Sequence, residues 1–129
     1  MTITHFEDLE CWQEARRLTR QVYEAVSQNH GWQKDLRLCG QIQGAGGSVI
    51  ANIAEGFARR SNKEFIQFLF IAMSSAAEVQ SHLYIAADQG YVSKETFDSI
   101  YKQADKTGKI ISGLIKYLRT NRTRQTKQT

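Results

Sequence analysis

The segment from Phe65 to Met73 reads FIQFLFIAM, and it constrains the fold most because a helix built from it is apolar on two faces. At about 100° per residue, the apolar positions from here onward divide into two stripes. One stripe covers a domain core, so the second predicts contact with another subunit. The first stripe comprises Phe65, Phe68, Leu69, Ala72, Ala76, Val79 and Leu83; the second comprises Ile66, Phe70, Met73, Ala77 and Tyr84.

The rest of the chain also has helical periodicity, and no long stretch alternates apolar and polar residues as strands do. The 129 residues include no proline, so the commonest helix breaker is missing. Helices are predicted over residues 6–28, 35–55, 62–89 and 94–118. Four helices joined by short loops pack well as an up-down-up-down antiparallel four-helix bundle. We therefore predict an all-α domain over residues 1–119 and a flexible basic tail over residues 120–129.

Glycine and serine mark the predicted helix ends. Gly31 is the expected left-handed residue after the first helix, and Gly56 and Gly90 are the expected stops of the second and third. Ser61-Asn62-Lys63-Glu64 has the spacing of a capping box at the start of the third helix. Ser93 is predicted to cap the fourth.

Positive charge is concentrated near the C-terminus. The last fourteen residues hold five basic and no acidic side chains, so a net charge of +4 leaves −1 for the rest. In the predicted topology, the turn between the second and third helices lies at the same end of the bundle as the C-terminus of the fourth. The basic residues of that turn and of the C-terminus would form a cationic cluster suited to phosphate backbones. The alternative is a solvated basic tail with no ligand. The predicted nucleic-acid-binding residues are Arg59, Arg60, Lys63, Lys116, Arg119, Arg122, Arg124 and Lys127.

Cysteine placement and hydropathy limit the compartment. Cys11 and Cys39 fall near the starts of successive antiparallel helices, roughly 20 Å apart at 1.5 Å per residue. That separation is too long for a disulfide, so both are expected to be reduced. No apolar stretch reaches the roughly 18 residues of a membrane helix. The first residues lack the features of a signal peptide, and a cytoplasmic location is expected.

Catalytic and metal-binding patterns are weak. Gly44, Gly46 and Gly47 lack the lysine that ends a phosphate loop, and a close approach of another helix is the expected reason for them. Glu78 and His82 lie one turn apart, but two-metal bundles need two Glu-x-x-His copies. No serine or cysteine has a recognisable base. We expect no enzyme, no catalytic residue, no metal and no cofactor.

Several segments match one family. Residues 52–56 read NIAEG and residues 61–65 read SNKEF, and the opening FEDL at residues 6–9 fits as well. These motifs resemble the small four-helix-bundle proteins encoded in intervening sequences of bacterial large-subunit ribosomal RNA genes. That family is similar to the accessory variability proteins of diversity-generating retroelements. The resemblance covers most of residues 6–118, and its other matches are Trp12, Ala15, Ile71, Ala72, Ser75 and Glu78.

The resemblance implies a bundle that assembles into a pentameric ring. In the retroelement branch it also implies a role beside a reverse transcriptase and its RNA or DNA template. Two departures stand out. Gln43 and Gly44 occupy positions where the pattern has two arginines, so any nucleic-acid contact made by that pair is missing, and Ser74 replaces a glycine.

The function predicted from the sequence is that of a non-catalytic homo-oligomeric accessory protein. It would bind RNA or DNA through the phosphate backbone, beside a retroelement reverse transcriptase. The second apolar stripe would form the contacts between subunits. The alternative is an oligomeric protein-interaction scaffold with no direct nucleic-acid role.

Overall fold

The computed structural model describes residues 2–120, and all the regular elements in that range are helical. The predicted all-α class is therefore confirmed, whereas residues 121–129 of the predicted tail lie outside the described part. The elements are a 3₁₀ turn at Phe6–Asp8, α1 (Glu10–Ser27), α2 (His30–Lys34), α3 (Leu36–Phe57), α4 (Asn62–Asp88) and α5 (Lys94–Thr120).

Two apolar clusters make up the core, and they draw on opposite halves of the four long helices. The first takes the later half of α1 and α4 and the earlier half of α3 and α5; we call this part the α2 end. The second takes the complementary halves, and we call it the arginine end because Arg59, Arg60 and Arg119 adjoin it in the chain. The α2 end includes Leu18, Val22, Trp32, Ile42, Leu83 and Ile100, and the arginine end includes Ala15, Ile53, Phe65, Leu69, Ile111 and Ile115.

The first predicted helix is interrupted near its start but ends where predicted, and the segment after it differs from the prediction. Leu9 has extended backbone angles, φ −74° and ψ 130°, so the 3₁₀ turn and α1 are separate elements. A short helix, α2, then replaces the predicted loop, because Asn29 Oδ1 accepts a hydrogen bond from Trp32 N at 2.9 Å. Gly31 lies within α2 and has no positive φ, so its predicted left-handed role is wrong.

One carboxylate connects the start of α3 to the loop between α4 and α5. Asp35 Oδ1 accepts a hydrogen bond from Leu38 N at 3.1 Å, which caps α3. Asp35 Oδ2 accepts another from Tyr91 Oη at 3.1 Å. The Tyr91 ring also stacks on the fully buried Trp32 ring, with centroids 6.2 Å apart. The α2 end is thus closed by polar and aromatic contacts within the chain.

The predicted boundaries of α4 and α5 agree with the structure. Ser61 Oγ accepts a hydrogen bond from Glu64 N at 3.3 Å, and Ser93 Oγ accepts one from Thr96 N at 3.1 Å. Gly90 has φ +77°, a left-handed conformation that favours glycine, immediately after α4. These three residues mark the helix ends that the sequence predicted.

Gly56 does not end α3, because the helix continues to Phe57. A Cβ added at Gly56 would lie 2.7 Å from Phe68 Cβ and 2.9 Å from Phe65 Cδ1. Such distances are far below van der Waals contact, so this position requires glycine where α3 meets α4. Gly56 thus allows α3 and α4 to pack closely and does not terminate α3 as predicted.

The neighbouring glycines of α3 divide into two kinds. Gly46 is buried, and a Cβ there would lie 3.3 Å from Thr19 Oγ1 of α1. Thr19 Oγ1 also hydrogen-bonds to the carbonyl oxygen of Gly46 at 2.9 Å. A Cβ at Gly44 or Gly47 would meet nothing within 4 Å. The predicted close approach of another helix is therefore confirmed within the chain for Gly46 alone of the three.

The cysteines are both free, as predicted. Cys11 belongs to the core of the arginine end, and Cys39 packs against the core of the α2 end. Burial raises the pKa of the Cys11 thiol to about 12, so it remains protonated and unreactive at neutral pH. None of the helices within residues 2–120 combines the length and apolarity needed to span a bilayer.

Candidate nucleic-acid interface

Five of the eight predicted nucleic-acid-binding residues lie in the described part of the chain, and all five are exposed. Two follow the end of α3, one is in the first turn of α4, and two are in the last turns of α5. Ile53, Phe65 and Ile115 from the same three helices share one core cluster, so these segments lie at the arginine end together. The five residues are Arg59, Arg60, Lys63, Lys116 and Arg119; Arg122, Arg124 and Lys127 fall outside the described residues.

Two of these arginines are held on aromatic rings of α4. The Arg59 guanidinium carbon lies 4.7 Å from the centroid of the Phe68 ring, and that of Arg119 lies 5.4 Å from the Phe70 ring. Both distances are within the range of a cation–π contact. Residues two apart on a helix point about 200° away from each other, so the two arginines lie on opposite sides of α4. The arrangement limits the freedom of both guanidinium groups while leaving them exposed.

Three other cations of this end have no carboxylate partner in the part of the chain that the structure describes. Within residues 2–120, no acidic oxygen lies within 4 Å of the charged groups of Arg60, Lys63 or Lys116. The exposed acids near the start of α1 belong to the same end and partly offset its charge, because Leu9 beside them is part of its core. Those acids are Glu7, Asp8 and Glu10.

A surface groove of about 430 Å³ lies beside Arg59 and Arg60. It is lined by residues 2–4 on one side and by Phe57, Ala58 and the two arginines on the other. The arginines give the groove a positive wall, which suits an anionic group such as a phosphate. Nothing in the sequence of residues 2–4 indicated that they would pack there.

A buried amide at this end has no hydrogen-bond partner among residues 2–120. Asn62 is 3% exposed, and neither its Nδ2 nor its Oδ1 has a partner among the described residues. The Trp12 Nε1 group is also buried without a partner in that range. Buried polar groups are normally bonded. Gln21 Oε1, Trp32 Nε1 and His82 Nδ1 at the α2 end also lack a partner within residues 2–120, so both ends hold such atoms.

The predicted subunit-contact stripe lies on the side of α4 that faces α5. Tyr84 packs edge-on against Phe97 and Tyr101 of α5, with centroids 5.0 and 6.1 Å apart. Phe70 and Tyr84 nevertheless remain 43% and 56% exposed. Part of the stripe therefore serves the fold of one chain and part is available to a partner. Ile66 and Met73 are half-buried against the core, and Ala77 is exposed.

Another exposed apolar pair on α4 was not identified from the sequence. Ile71 and Ile85 are 49% and 46% exposed, on a side of α4 different from that of Phe70 and Tyr84. Ile71 was assigned only to the family pattern, and Ile85 falls in neither predicted stripe. Within residues 2–120 there is also no grouping of three or more histidine, cysteine, aspartate or glutamate side chains that could hold a metal ion.

Comparison with known proteins places this geometry in a family. No curated protein matches the sequence significantly. Among solved structures, the chain is similar to a protein of unknown function from the S23 ribosomal protein family of Bacteroides thetaiotaomicron VPI-5482. The two share 25% sequence identity with a TM-score of 0.73, over 82% of this chain and 98% of the other. Residues 7–113 match the profile of the 23S rRNA-intervening sequence protein family, and the chain belongs to that family.

Proposed function

We propose that this protein is a non-catalytic, homo-oligomeric accessory protein that binds RNA or DNA through the phosphate backbone at the arginine end. The observation that carries the proposal is a set of exposed cations at this end without carboxylate partners. Arg60, Lys63 and Lys116 have no ion pair within residues 2–120. Arg122, Arg124 and Lys127 would extend the same charge along the chain.

The aromatic contacts of Arg59 and Arg119 support the same ligand. A phosphate that binds these groups has less side-chain freedom to remove, because each guanidinium already rests on a phenylalanine ring. Phosphate contacts fix a nucleic acid in place but carry no sequence information. Binding of this kind suits a protein that recognises nucleic acid in general rather than one sequence.

Assembly would multiply the charge of the arginine end. The complementary composition of the two core clusters supports an up-down-up-down bundle of α1, α3, α4 and α5. We propose that such bundles form a ring, as a pentamer, with Phe70 and Tyr84 among the residues at subunit contacts. Gly44 and Gly47 leave open space beside α3, which a neighbouring subunit could approach closely. A ring would repeat the arginine end around one rim.

The accessory role is the most specific part of the proposal. The motifs at residues 52–56 and 61–65 resemble the ribosomal RNA intervening-sequence proteins, and that family is similar to the retroelement accessory proteins. We propose the retroelement role, with a reverse transcriptase as the protein partner. An adjacent reverse-transcriptase gene with a repeated template region would support it, whereas a location inside a ribosomal RNA gene would contradict it.

Fluorescence anisotropy with a labelled single-stranded RNA, titrated with salt, tests the nucleic-acid role. The triple variant Arg60→Gln, Lys63→Gln, Lys116→Gln should flatten the dependence of log affinity on log salt by about 2, at roughly 0.7 per lost phosphate contact. The matched control Lys34→Gln, Arg37→Gln, Lys102→Gln removes equal charge from exposed sites elsewhere. Absence of binding by the unmodified protein at low salt, or equal slopes for both variants, would contradict the proposal.

Light scattering coupled to size exclusion tests the assembly. Phe70→Glu should yield smaller species, because a charge would replace an exposed ring at the proposed contact. Glu78→Gln, an exposed change elsewhere on α4, is the control and should leave the size unaltered. An intact oligomer of the Phe70→Glu protein would refute this contact.

The alternative of a protein-interaction scaffold is favoured by the exposed Ile71 and Ile85 of α4. Under that alternative the oligomer persists, nucleic acid does not bind, and Ile71→Glu abolishes capture of the protein partner. The salt titration separates the two functions.

A further inference from the structure

A second positively charged groove lies on α1. Its volume is about 290 Å³, and its lining includes Trp12, Arg16, Arg17 and Arg20. Arg16 and Arg20 are one helical turn apart and therefore project from the same side of α1. Arg16, Arg17 and Arg20 are not among the predicted nucleic-acid-binding residues, although Trp12 packs against the core of the arginine end. The groove is a separate concave surface that contains three arginines and one tryptophan.

The charge of this groove is only partly offset by acids. Glu14 lies 3.4 Å from Arg17 and 3.6 Å from Lys106, so one carboxylate faces two cations. Neither Arg16 nor Arg20 has an ion pair within residues 2–120. Like charges one turn apart destabilise a helix. An anion bound between the two arginines would relieve that repulsion.

Two of the arginines are also held in place. The Arg16 guanidinium carbon lies 5.9 Å from the centroid of the Trp12 ring, and that ring packs on Phe6 with centroids 5.2 Å apart. Arg17 is held by Glu14, whose buried carboxylate also accepts a hydrogen bond from Gln103 at 2.8 Å. Trp12, Arg16 and Arg17 are therefore restrained by neighbouring side chains, and Arg20 is the less restrained residue of the groove.

We propose that the α1 groove formed by Trp12, Arg16, Arg17 and Arg20 is a second binding surface for the phosphodiester backbone of RNA or DNA. This inference rests on the proposed function, since it assigns the same class of ligand to another surface of the protein. An extended strand could contact the arginine end and α1 at once. Linked contacts of this kind raise the overall affinity beyond that of either surface.

The test compares variants of the full-length chain in the anisotropy assay with labelled single-stranded RNA. Arg16→Gln with Arg20→Gln should weaken binding by about tenfold near physiological salt and flatten the salt dependence by about 1.4. The control Lys34→Gln with Arg37→Gln removes the same charge, and its affinity should change by less than about twofold. Arg16→Lys with Arg20→Lys keeps the charge and should keep most of the salt dependence.

The outcomes are distinguishable from those for the arginine end. If the unmodified protein binds RNA and the Arg16/Arg20 variant behaves like its control, the α1 surface is wrong and the proposed function stands. If the unmodified protein does not bind, both fail. Inorganic phosphate at matched ionic strength should compete poorly; full competition at millimolar concentration would make the groove a small-anion site and overturn the inference. Equal circular dichroism melts confirm that the variants are folded.

Discussion

The loops of the α2 end and of the arginine end are held differently, although each end also has buried polar atoms without a partner within residues 2–120. Asp35 accepts hydrogen bonds from Leu38 N and from Tyr91 Oη, and Asn29 caps α2. At the arginine end the amide of Asn62 is buried without a partner, and Arg60 has no ion pair in the described chain. The loops of the α2 end are thus closed by hydrogen bonds, whereas the arginine end presents exposed arginines on aromatic rings.

This difference indicates where an external ligand would gain most. A ligand at the loops of the α2 end would have to replace the hydrogen bonds of Asp35 and Asn29, which gives little net free energy. A phosphate at the arginine end meets exposed cations, of which Arg60, Lys63 and Lys116 have no ion pair within residues 2–120. The following substitutions test whether the two ends differ in this way.

The largest effect is expected for Trp32→Ala at the α2 end. Trp32 is fully buried and stacks on Tyr91, so its removal should lower the free energy of unfolding by about 3–5 kcal/mol. Arg60→Ala at the arginine end is the control and should change it by less than about 0.5 kcal/mol. Urea denaturation measures both. Similar losses for the two variants would contradict the contrast.

Gly56→Ala should destabilise the protein by about 1–3 kcal/mol, because the added Cβ would collide with Phe68 and Phe65. A Cβ added at Gly44 would meet nothing within 4 Å, so Gly44→Ala should instead stabilise a single chain by up to about 1 kcal/mol through better helix propensity. Thermal denaturation measures both changes in stability, and size-exclusion chromatography shows whether the Gly44→Ala protein still forms the oligomer. If Gly44→Ala also breaks the oligomer, α3 lies at a subunit contact.

Asn62→Leu should stabilise the arginine end by about 1–2 kcal/mol, since it removes a buried amide without partners in the described chain. The same change at the α2 end, Asn29→Leu, should destabilise by about 1 kcal/mol because it removes the cap of α2. Chemical denaturation of the two variants gives opposite signs if the ends differ as described. A loss of stability for Asn62→Leu would show that Asn62 has a partner in solution.

The smallest effect concerns Glu14 and pH. The hydrogen bond from Gln103, assisted by Lys106 and Arg17, lowers the pKa of Glu14 below its ordinary value of 4.5. A lowered pKa in the folded state means that the carboxylate stabilises the protein above the unfolded-state pKa. That contribution is lost as pH falls through the folded-state value.

Glu14→Gln should therefore destabilise the protein near neutral pH, by about 1 kcal/mol or less, and the difference from the unmodified protein should vanish in acid. Urea denaturation over a pH series measures this trend. The exposed Glu24→Gln change on the same helix serves as the control for the loss of one carboxylate. A constant difference for Glu14→Gln would contradict the assigned role.

Much of the fold followed from local signals in the sequence. Ser61, Gly90 and Ser93 mark helix ends through hydrogen bonds or backbone angles that depend on neighbouring residues alone. The helix containing Phe65 and Leu69 was identified because its apolar spacing is strong and long. Such features need no knowledge of the tertiary structure.

The features that were missed depend on tertiary contacts. The short helix α2 forms around Trp32, whose ring is buried by partners distant in sequence such as Tyr91. Gly56 resembles a helix stop until the position of Phe68 is known.

The candidate site was predicted in part. Arg59, Arg60 and Lys63 could be located because they adjoin a recognisable turn. The pairing of Arg119 with Phe70, and the unneutralised state of Arg16 and Arg20, could not, because both depend on which acids and rings lie nearby in space. Composition had placed the positive charge in the tail rather than on the body of the protein.

Asp35 has a consequence for how the chain opens locally. Its two oxygens bind an amide of α3 and the hydroxyl of a tyrosine 56 residues further along the chain. Fraying of the first turn of α3 would therefore release Tyr91, and movement of that tyrosine would weaken the α3 turn. Hydrogen exchange at Leu38 N and at the amides around Tyr91 should then rise together, as one cooperative unit.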